Sequence, residues 1–260
     1  MNEASRDLSG KVVLITGGGK GVGRGISECF LASGAEVVIC GRTAPATVPQ
    51  AGGRSALFIE ANVVDQAAVE RLVEETLRLH GRLDVLVNNA GGTPHVLAAD
   101  GSARYHESII KLNLLAPLLL AIRANAAMQT QEQGGVIVNI GTVGAYDARP
   151  GSATYAAAKA GILSLTRSLA VEWAPRVRVV CVSPGLVLTE QAHQHYGDDA
   201  GIAAVAATVP LQRMAQPADI GRACVYLAGR GADYISGVDL VVHGGGERPS
   251  FLDAANANKT

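Results

Sequence analysis

Tyr155 stands four residues before Lys159 in the stretch GTVGAYDARPGSATYAAAK (141–159), and the hydroxyl of Thr142 lies thirteen residues upstream of the phenol. On a helix, positions i and i+4 share a face. Tyr155 and Lys159 would then project together, one turn apart. A free phenol has a pKa of about 10 and exchanges its proton poorly at neutral pH. An ammonium beside it favours the phenolate and lowers that value. Such a pair suits general acid–base work on a carbonyl or alcohol oxygen. The spacing alone leaves a second reading open, two unrelated side chains on a wet surface.

A second chemical signal is the run TGGGKGVG (16–23), which follows the apolar stretch KVVLIT and opens a helical pattern. Gly17, Gly19, Gly21 and Gly23, with Lys20 and Val22 between them, let the backbone turn tightly and approach a pyrophosphate. The helix that follows offers free N–H groups and a partial positive charge. A nucleotide-triphosphate loop would need Ser or Thr after the lysine, and here Gly21 follows Lys20. The next strand, AEVVIC, ends in Gly41 and Arg42, with no carboxylate to hold a ribose 2′-hydroxyl. A guanidinium grips a 2′-phosphate in bidentate fashion, and Lys20 adds a second cation. The expected cofactor is NADP(H) rather than NAD(H).

The elements that must position these groups are short Val/Ile/Leu runs at 11–16, 35–40, 56–61, 83–88, 135–140, 177–182 and 238–243. Helical patterns lie between them at about 21–33, 65–80, 104–130 and 152–174, with two more before the last strand. The strand runs are continuous rather than alternating, so both sheet faces must be covered. The expected fold class is α/β: a doubly wound, Rossmann-type parallel sheet of seven strands with helices on both faces. Between the second and third strands, Pro45, Pro49 and a Gly pair argue for a short irregular loop in place of a full helix.

No linker or composition break divides the 260 residues, so residues 1–260 read as a single domain. The chain is 48% hydrophobic and 17% charged with a formal net charge of −1, which excludes a disordered chain and gives no basic stripe for nucleic acid. The apolar run 112–122 is too short to span a bilayer, and the polar N-terminus has no signal core. A cytoplasmic protein is expected. Cys29, Cys40, Cys181 and Cys224 lack CxxC spacing and read as buried thiols. His193 and His195 are two apart, diverge on a helix and make no metal pair. No metal is expected.

Taken together, these features resemble the short-chain dehydrogenase/reductase family, of the shorter type, over about residues 9–246. TGGGKGVG matches its TGxxxGxG turn, NNAG (88–91) its motif after the fourth strand, and Asn113 its helix asparagine. Tyr155 and Lys159 match YxxxK, and Pro184-Gly185 with Thr189 matches PGxxxT. PLQRMAQPADIG and HGGG resemble the family's C-terminal segment. The resemblance implies that Tyr155 is the acid or base, that Lys159 tunes it and holds the nicotinamide ribose, and that Asn113 steadies a water linking Lys159 to solvent. It further implies cofactor contacts by Asn62, Val63, Asn89, Ala90, Gly91, Pro184, Gly185, Val187 and Thr189. Thr142 stands where the family usually has Ser and can still donate a hydrogen bond. Asn62 replaces a common Asp, and His243 replaces an Asp before the last glycines.

The substrate walls are expected from loops 92–106, 144–152 and 188–208, with Tyr146, His95, Arg149, His193 and Tyr196 as candidate lining residues. The expected reaction interconverts a ketone and a secondary alcohol, a 3-oxoacyl thioester and a cyclic ketone being two fitting substrates. A lyase or epimerase on the same fold, and a non-catalytic NADP-binding regulator, are the alternatives. The 152–174 helix is apolar on two sides and so needs two partners. The sheet is one and a second subunit the other, and the resemblance suggests a homotetramer.

Overall fold

The computed structural model describes residues 7–247 together with Pro249 and Ala254. Nine strands occur in chain order: β1 (Val12–Thr16), β2 (Glu36–Gly41), β3 (Gln50–Ala51), β4 (Arg54–Ser55), β5 (Leu57–Glu60), β6 (Val85–Asn88), β7 (Gly135–Ile140), β8 (Val177–Pro184) and β9 (Asp239–Val242). The helices are α1 (Gly21–Ala32), α2 (Gln66–His80), α3 (Ala103–Ile110), α4 (Ala116–Thr130), α5 (Ala153–Glu172), α6 (Ala192–Tyr196), α7 (Asp199–Thr208) and α8 (Pro217–Ala228). Seven strands form one parallel sheet in the order β5-β2-β1-β6-β7-β8-β9. Strand order reverses between β1 and β6. In an open α/β sheet, ligands bind at the carboxyl ends of the strands flanking that point.

The pleat sorts each strand's residues between two cores. Val13, Ile15, Val37, Ile39, Val85 and Val87 pack with Ile26 and Phe30 of α1 and Ile220 and Val225 of α8. Their chain neighbours Leu14, Val38 and Leu86 face the other way, against Val69 and Leu72 of α2 and Leu120, Ala124 and Met128 of α4. This two-sided burial is why the strands read as unbroken apolar runs. A buried polar chain adds direction to the packing. The Asn88 amide donates to the Pro117 carbonyl (3.1 Å) and to Asn139 (3.0 Å), whose own amide donates to the Thr166 hydroxyl (3.0 Å). It ties β6, β7, α4 and α5 together just below the site.

Three features differ from, or refine, the sequence expectation. The crossover from β2 to β5 contains no helix, as expected, but it is not irregular throughout. β3 and β4 form a two-residue hairpin whose turn is Gly52-Gly53, with φ of 57° and 72°. Positive φ at both central residues is the requirement of a type I′ turn. Arg54 of this hairpin pairs with Glu36 of β2. Three α-helices, not two, lie between β8 and β9. The long helical stretch also changes character midway, where Lys111–Leu115 forms a π turn between α3 and α4. The continuous stretch Ala103–Thr130 is 28 residues, longer than the apolar run seen in the sequence, and by length and composition alone it could cross a membrane. One face of it belongs to the α2–α4 core.

The α1–α8 contact is unusually close. A Cβ on Gly25 would lie 2.5 Å from the Pro217 carbonyl carbon, and one on Gly221 would lie 2.6 Å from the Gly25 oxygen. Backbone meets backbone here, so no rotamer change relieves an added methyl. Gly25→Ala should cost about 1–3 kcal/mol. The measurement is the urea midpoint, expected to fall at unchanged m. An unshifted midpoint would show that the two helices have room between them.

Candidate active site

The turn between β1 and α1 sets one wall of the site. A Cβ on Gly23 would sit 2.2 Å from the Gly17 oxygen, so only glycine permits this closure. Thr16 and Asn89 lock the turn to the end of β6. The Thr16 Oγ1 accepts from the N–H groups of Asn89 (3.0 Å) and Ala90 (2.9 Å), and the Asn89 amide donates to the Thr16 oxygen (2.8 Å). α1 begins without a side-chain cap from Lys20, and its first N–H groups face the cleft. One of them, on Gly21, donates to Glu190 Oε1 at 2.9 Å. A carboxylate thus occupies an anion position at the helix N-terminus, which is where a pyrophosphate oxygen would bind.

A cleft of about 1120 Å³ runs from this turn along the strand ends. It is lined by every residue that the sequence assigns to the cofactor, from Gly17 to Gly23 on the turn, through Arg42, Asn62 and Val63, to Asn89, Ala90, Gly91, Pro184, Gly185, Val187 and Thr189. Gly18 of that turn does not line it. Lys20 and Arg42 are exposed and have no ion-pair partner among the described residues. No carboxylate follows β2. A Gly-lined turn that already holds an anion at its helix N-terminus fits the pyrophosphate of a dinucleotide. Asn62 lies on the cleft wall, its Oδ1 accepting weakly from the Val64 N–H (3.4 Å).

Thr142, Tyr155 and Lys159 line the other end of the same cleft. Tyr155 and Lys159 stand one turn apart on α5. Thr142 stands two residues past the end of β7 and caps the short 3₁₀ turn Val143–Ala145, its Oγ1 accepting from the Gly144 N–H at 3.2 Å. An oxygen used as an acceptor keeps its own proton, so Thr142 can still donate. Lys159 is only 3% exposed, and its Nζ donates to the Ile140 carbonyl at 2.7 Å. That Nζ lies 5.8 Å from the centre of the Tyr155 ring.

One sequence expectation needs correction here. The amine does not acidify the phenol in the protein alone. Burial pushes Tyr155 up to about 12, and burial pulls Lys159 from 10.5 down to about 8. Desolvation outweighs their mutual attraction, because Nζ is spent on Ile140 and stands off the ring. Asn113 does not line the cleft. It is fully buried in the π turn, where its amide donates to the oxygens of Ile109 and Gly92 (both 3.0 Å) and its Oδ1 accepts from the Gly92 N–H (2.8 Å). The extra residue of the π turn is what aims this side chain at the 91–92 backbone. A Cβ on Gly91 would lie 2.6 Å from Asn113 Oδ1 and 3.4 Å from Lys159 Nζ, so Gly91 fits between them.

None of the five loop residues expected at the substrate walls lines this cleft. The Tyr146 hydroxyl donates to Asp239 (2.5 Å), Arg149 pairs with Glu247 (2.6 Å), and His193 Nδ1 meets the Gly197 oxygen (3.0 Å). The His95 ring packs on Gly151, and Tyr196 is half-buried beside Arg149 and Glu247. The residues found there instead include Ser108, Ile109, Leu112, Glu190 and Gln191. Glu190 and Gln191 follow directly on the PGxxxT motif, a signal that the motif's last residue hides. The segment carrying them is closed at its neck. The Leu188 N–H donates to the Ala215 oxygen (2.8 Å), and the Ala215 N–H to the Leu186 oxygen (2.9 Å).

Comparison with known proteins agrees with this geometry. Residues 17–247 match a family model described as enoyl-(acyl carrier protein) reductase. L-Fucose dehydrogenase of Oryctolagus cuniculus is 37% identical over 92% of this chain and 86% of that protein. A 3-oxoacyl-[acyl-carrier-protein] reductase of Synechocystis is 32% identical over 92% of this chain and 97% of its own. The ligand-free aldohexose dehydrogenase of Thermoplasma acidophilum superposes with a TM-score of 0.85 at 28% identity, covering 97% of this chain and 98% of that one.

Lys159 leads to a test that separates stability from activity. A lysine whose folded pKa is depressed destabilises the protein fully below that pKa, and the penalty is relieved as pH rises toward the unfolded value. Wild-type stability should therefore gain between pH 8 and 10. Lys159→Met should abolish turnover yet raise the unfolding free energy at pH 7 by an amount on the order of 2 kcal/mol, seen as a higher urea midpoint, and lose the alkaline gain. A lower midpoint in the variant would show that the amine stabilises the fold.

Proposed function

This chain belongs to the short-chain dehydrogenase/reductase family, and from that we propose that it is an NADP(H)-dependent oxidoreductase interconverting a ketone and a secondary alcohol. The observation that carries the reading is the convergence of Thr142, Tyr155 and Lys159 with the glycine turn in one cleft. The nicotinamide, when bound, supplies or accepts the hydride. The protein's share is to place the oxygen and move its proton. Tyr155 Oη gives its proton to the carbonyl oxygen in reduction and takes it back in oxidation. The Thr142 hydroxyl donates to the same oxygen and fixes its position.

A phenol at about 12 is a reluctant donor, and Lys159 is the group able to change that. Charged, its Nζ favours the phenolate that reduction leaves behind. The Ile140 carbonyl holds Nζ in place, and Asn113 holds the 91–92 backbone against it. Asn113 is thus a positioning residue in this reading. The preference for NADP(H) is supported by Arg42 and Lys20, cations without partners where NAD-binding chains need a carboxylate.

The relatives include sugar dehydrogenases and a 3-oxoacyl thioester reductase. The anomeric carbon of an aldose and a β-keto carbon both suit a Tyr–Thr oxygen clamp, so the substrate panel needs both kinds. We place the enzyme in the cytoplasm and, as an active species, in a homotetramer. The sheet buries Ile162, Leu163, Leu169 and Ala170 of α5, while Leu115 and Ile122 beside and on α4 remain 42% and 45% exposed and available to a second subunit.

Turnover of aldoses, 3-oxoacyl thioesters and cyclic ketones, followed at the nicotinamide absorbance, tests the assignment. NADP(H) should outperform NAD(H) at equal low concentration, and Arg42→Ala should raise KM for NADPH while sparing NADH. Tyr155→Phe should abolish turnover, and Thr142→Ala should lower kcat about 10²–10³-fold. Full turnover after loss of the phenolic oxygen would refute the mechanism, and faster reaction with NADH would refute the cofactor preference.

A further inference from the structure

The carboxylate of Glu190 binds the Gly21 N–H at 2.9 Å. It is the sole side-chain acceptor on the α1 N-terminus among the described residues. Helix α1 has no side-chain cap of its own, and its first turn carries no acidic residue. The helix end therefore takes its negative charge from a segment 169 positions later in the chain, immediately after Thr189. Thr189 is drawn in with it, its Cγ2 lying 3.7 Å from the place of a Gly21 Cβ.

A carboxylate and a pyrophosphate want the same N–H groups and the same end of the dipole. They also repel each other, so both cannot occupy the turn at once. The segment that bears Glu190 is built to move. Its neck is fastened by the Leu188 and Ala215 backbone pairs, and beyond it α7 has no buried residue despite its apolar sequence. Few packed contacts oppose a local opening of such a segment.

We propose that Glu190 is an internal occupant of the pyrophosphate position, which a dinucleotide must displace to bind, so that cofactor entry releases the 188–208 segment over the substrate end of the cleft. This rests on the dinucleotide reading of the cleft given above. Glu190 then sets cofactor affinity without touching the reacting atoms. A site held closed by its own carboxylate binds ligand more weakly by the fraction of time it is open. Loading and segment movement become one event, because Glu190 and Thr189 share a peptide bond.

The test measures binding rather than turnover. Dissociation constants for NADPH, NADH and adenosine 2′-phosphate are determined by calorimetry for wild type, Glu190→Gln and Glu190→Ala. Glu190 is solvent-exposed, so both variants should fold. Glu190→Ala should bind both dinucleotides about tenfold more tightly, with Glu190→Gln in between, while adenosine 2′-phosphate, which lacks a pyrophosphate, should bind unchanged. Without nucleotide, amide exchange across 188–208 should be faster in Glu190→Ala than in wild type. Equal or weaker dinucleotide binding by Glu190→Ala would overturn the proposal, as would an equal gain for adenosine 2′-phosphate or unaltered exchange in 188–208. Wild-type protein that binds neither dinucleotide would sink the dinucleotide reading itself, and the proposal with it.

Discussion

Enclosing an amine in protein is the costly act around which this molecule is arranged. Water solvates an ammonium far better than any interior does, and Lys159 has almost none. Its one direct compensation is the carbonyl of Ile140, the last residue of β7. That contact requires α5 to cross the end of β7 at a set height. The Asn88–Asn139–Thr166 chain supplies that constraint one layer down, because each of its amides has its partners on different elements. Tyr155 and Lys159 are therefore held from the sheet side, by backbone and buried amides.

The second requirement is close approach of the main chain. Between β1 and α1 the backbone folds on itself so tightly that a methyl at Gly23 has no space, and Asn89 spends its amide on the carbonyls of that turn. The motif residue most easily taken for a ligand contact thus works first as a clamp. The π turn at Lys111–Leu115 does similar service on the far side. It sacrifices regular helix geometry to direct Asn113 at the backbone beside Lys159. Both devices keep side chains out of the cleft and leave peptide groups to line it.

What could be read from the sequence follows from this division. The sheet was legible because strands buried on two faces must be continuous apolar runs, and the glycine turn and the Tyr155–Lys159 pair were legible because their chemistry demands fixed spacing. Arg42 drew attention because no carboxylate follows the second strand. The rest depends on partners distant in the chain. A π turn has no spacing signature in KLNLL, and the pairing of Arg149 with Glu247 or of Tyr146 with Asp239 joins loops about ninety-odd positions apart. Those pairings turned the expected substrate residues away from the cleft. The phenol's pKa was misjudged for a related reason, since helical spacing reveals nearness to a charge but not depth of burial.

The neck formed by Leu186, Leu188 and Ala215 has a wider consequence. Beyond the neck the segment meets the rest of the protein again at Glu190 and at Leu211, whose N–H donates to the Gly244 oxygen (3.1 Å), but α7 between them buries no residue, so its length and composition are decoupled from the sheet. Such a segment can be grafted, lengthened or rewritten during evolution while the Tyr155–Lys159 pair stays untouched. A scaffold of this kind can acquire a new clientele by changing a single appendage.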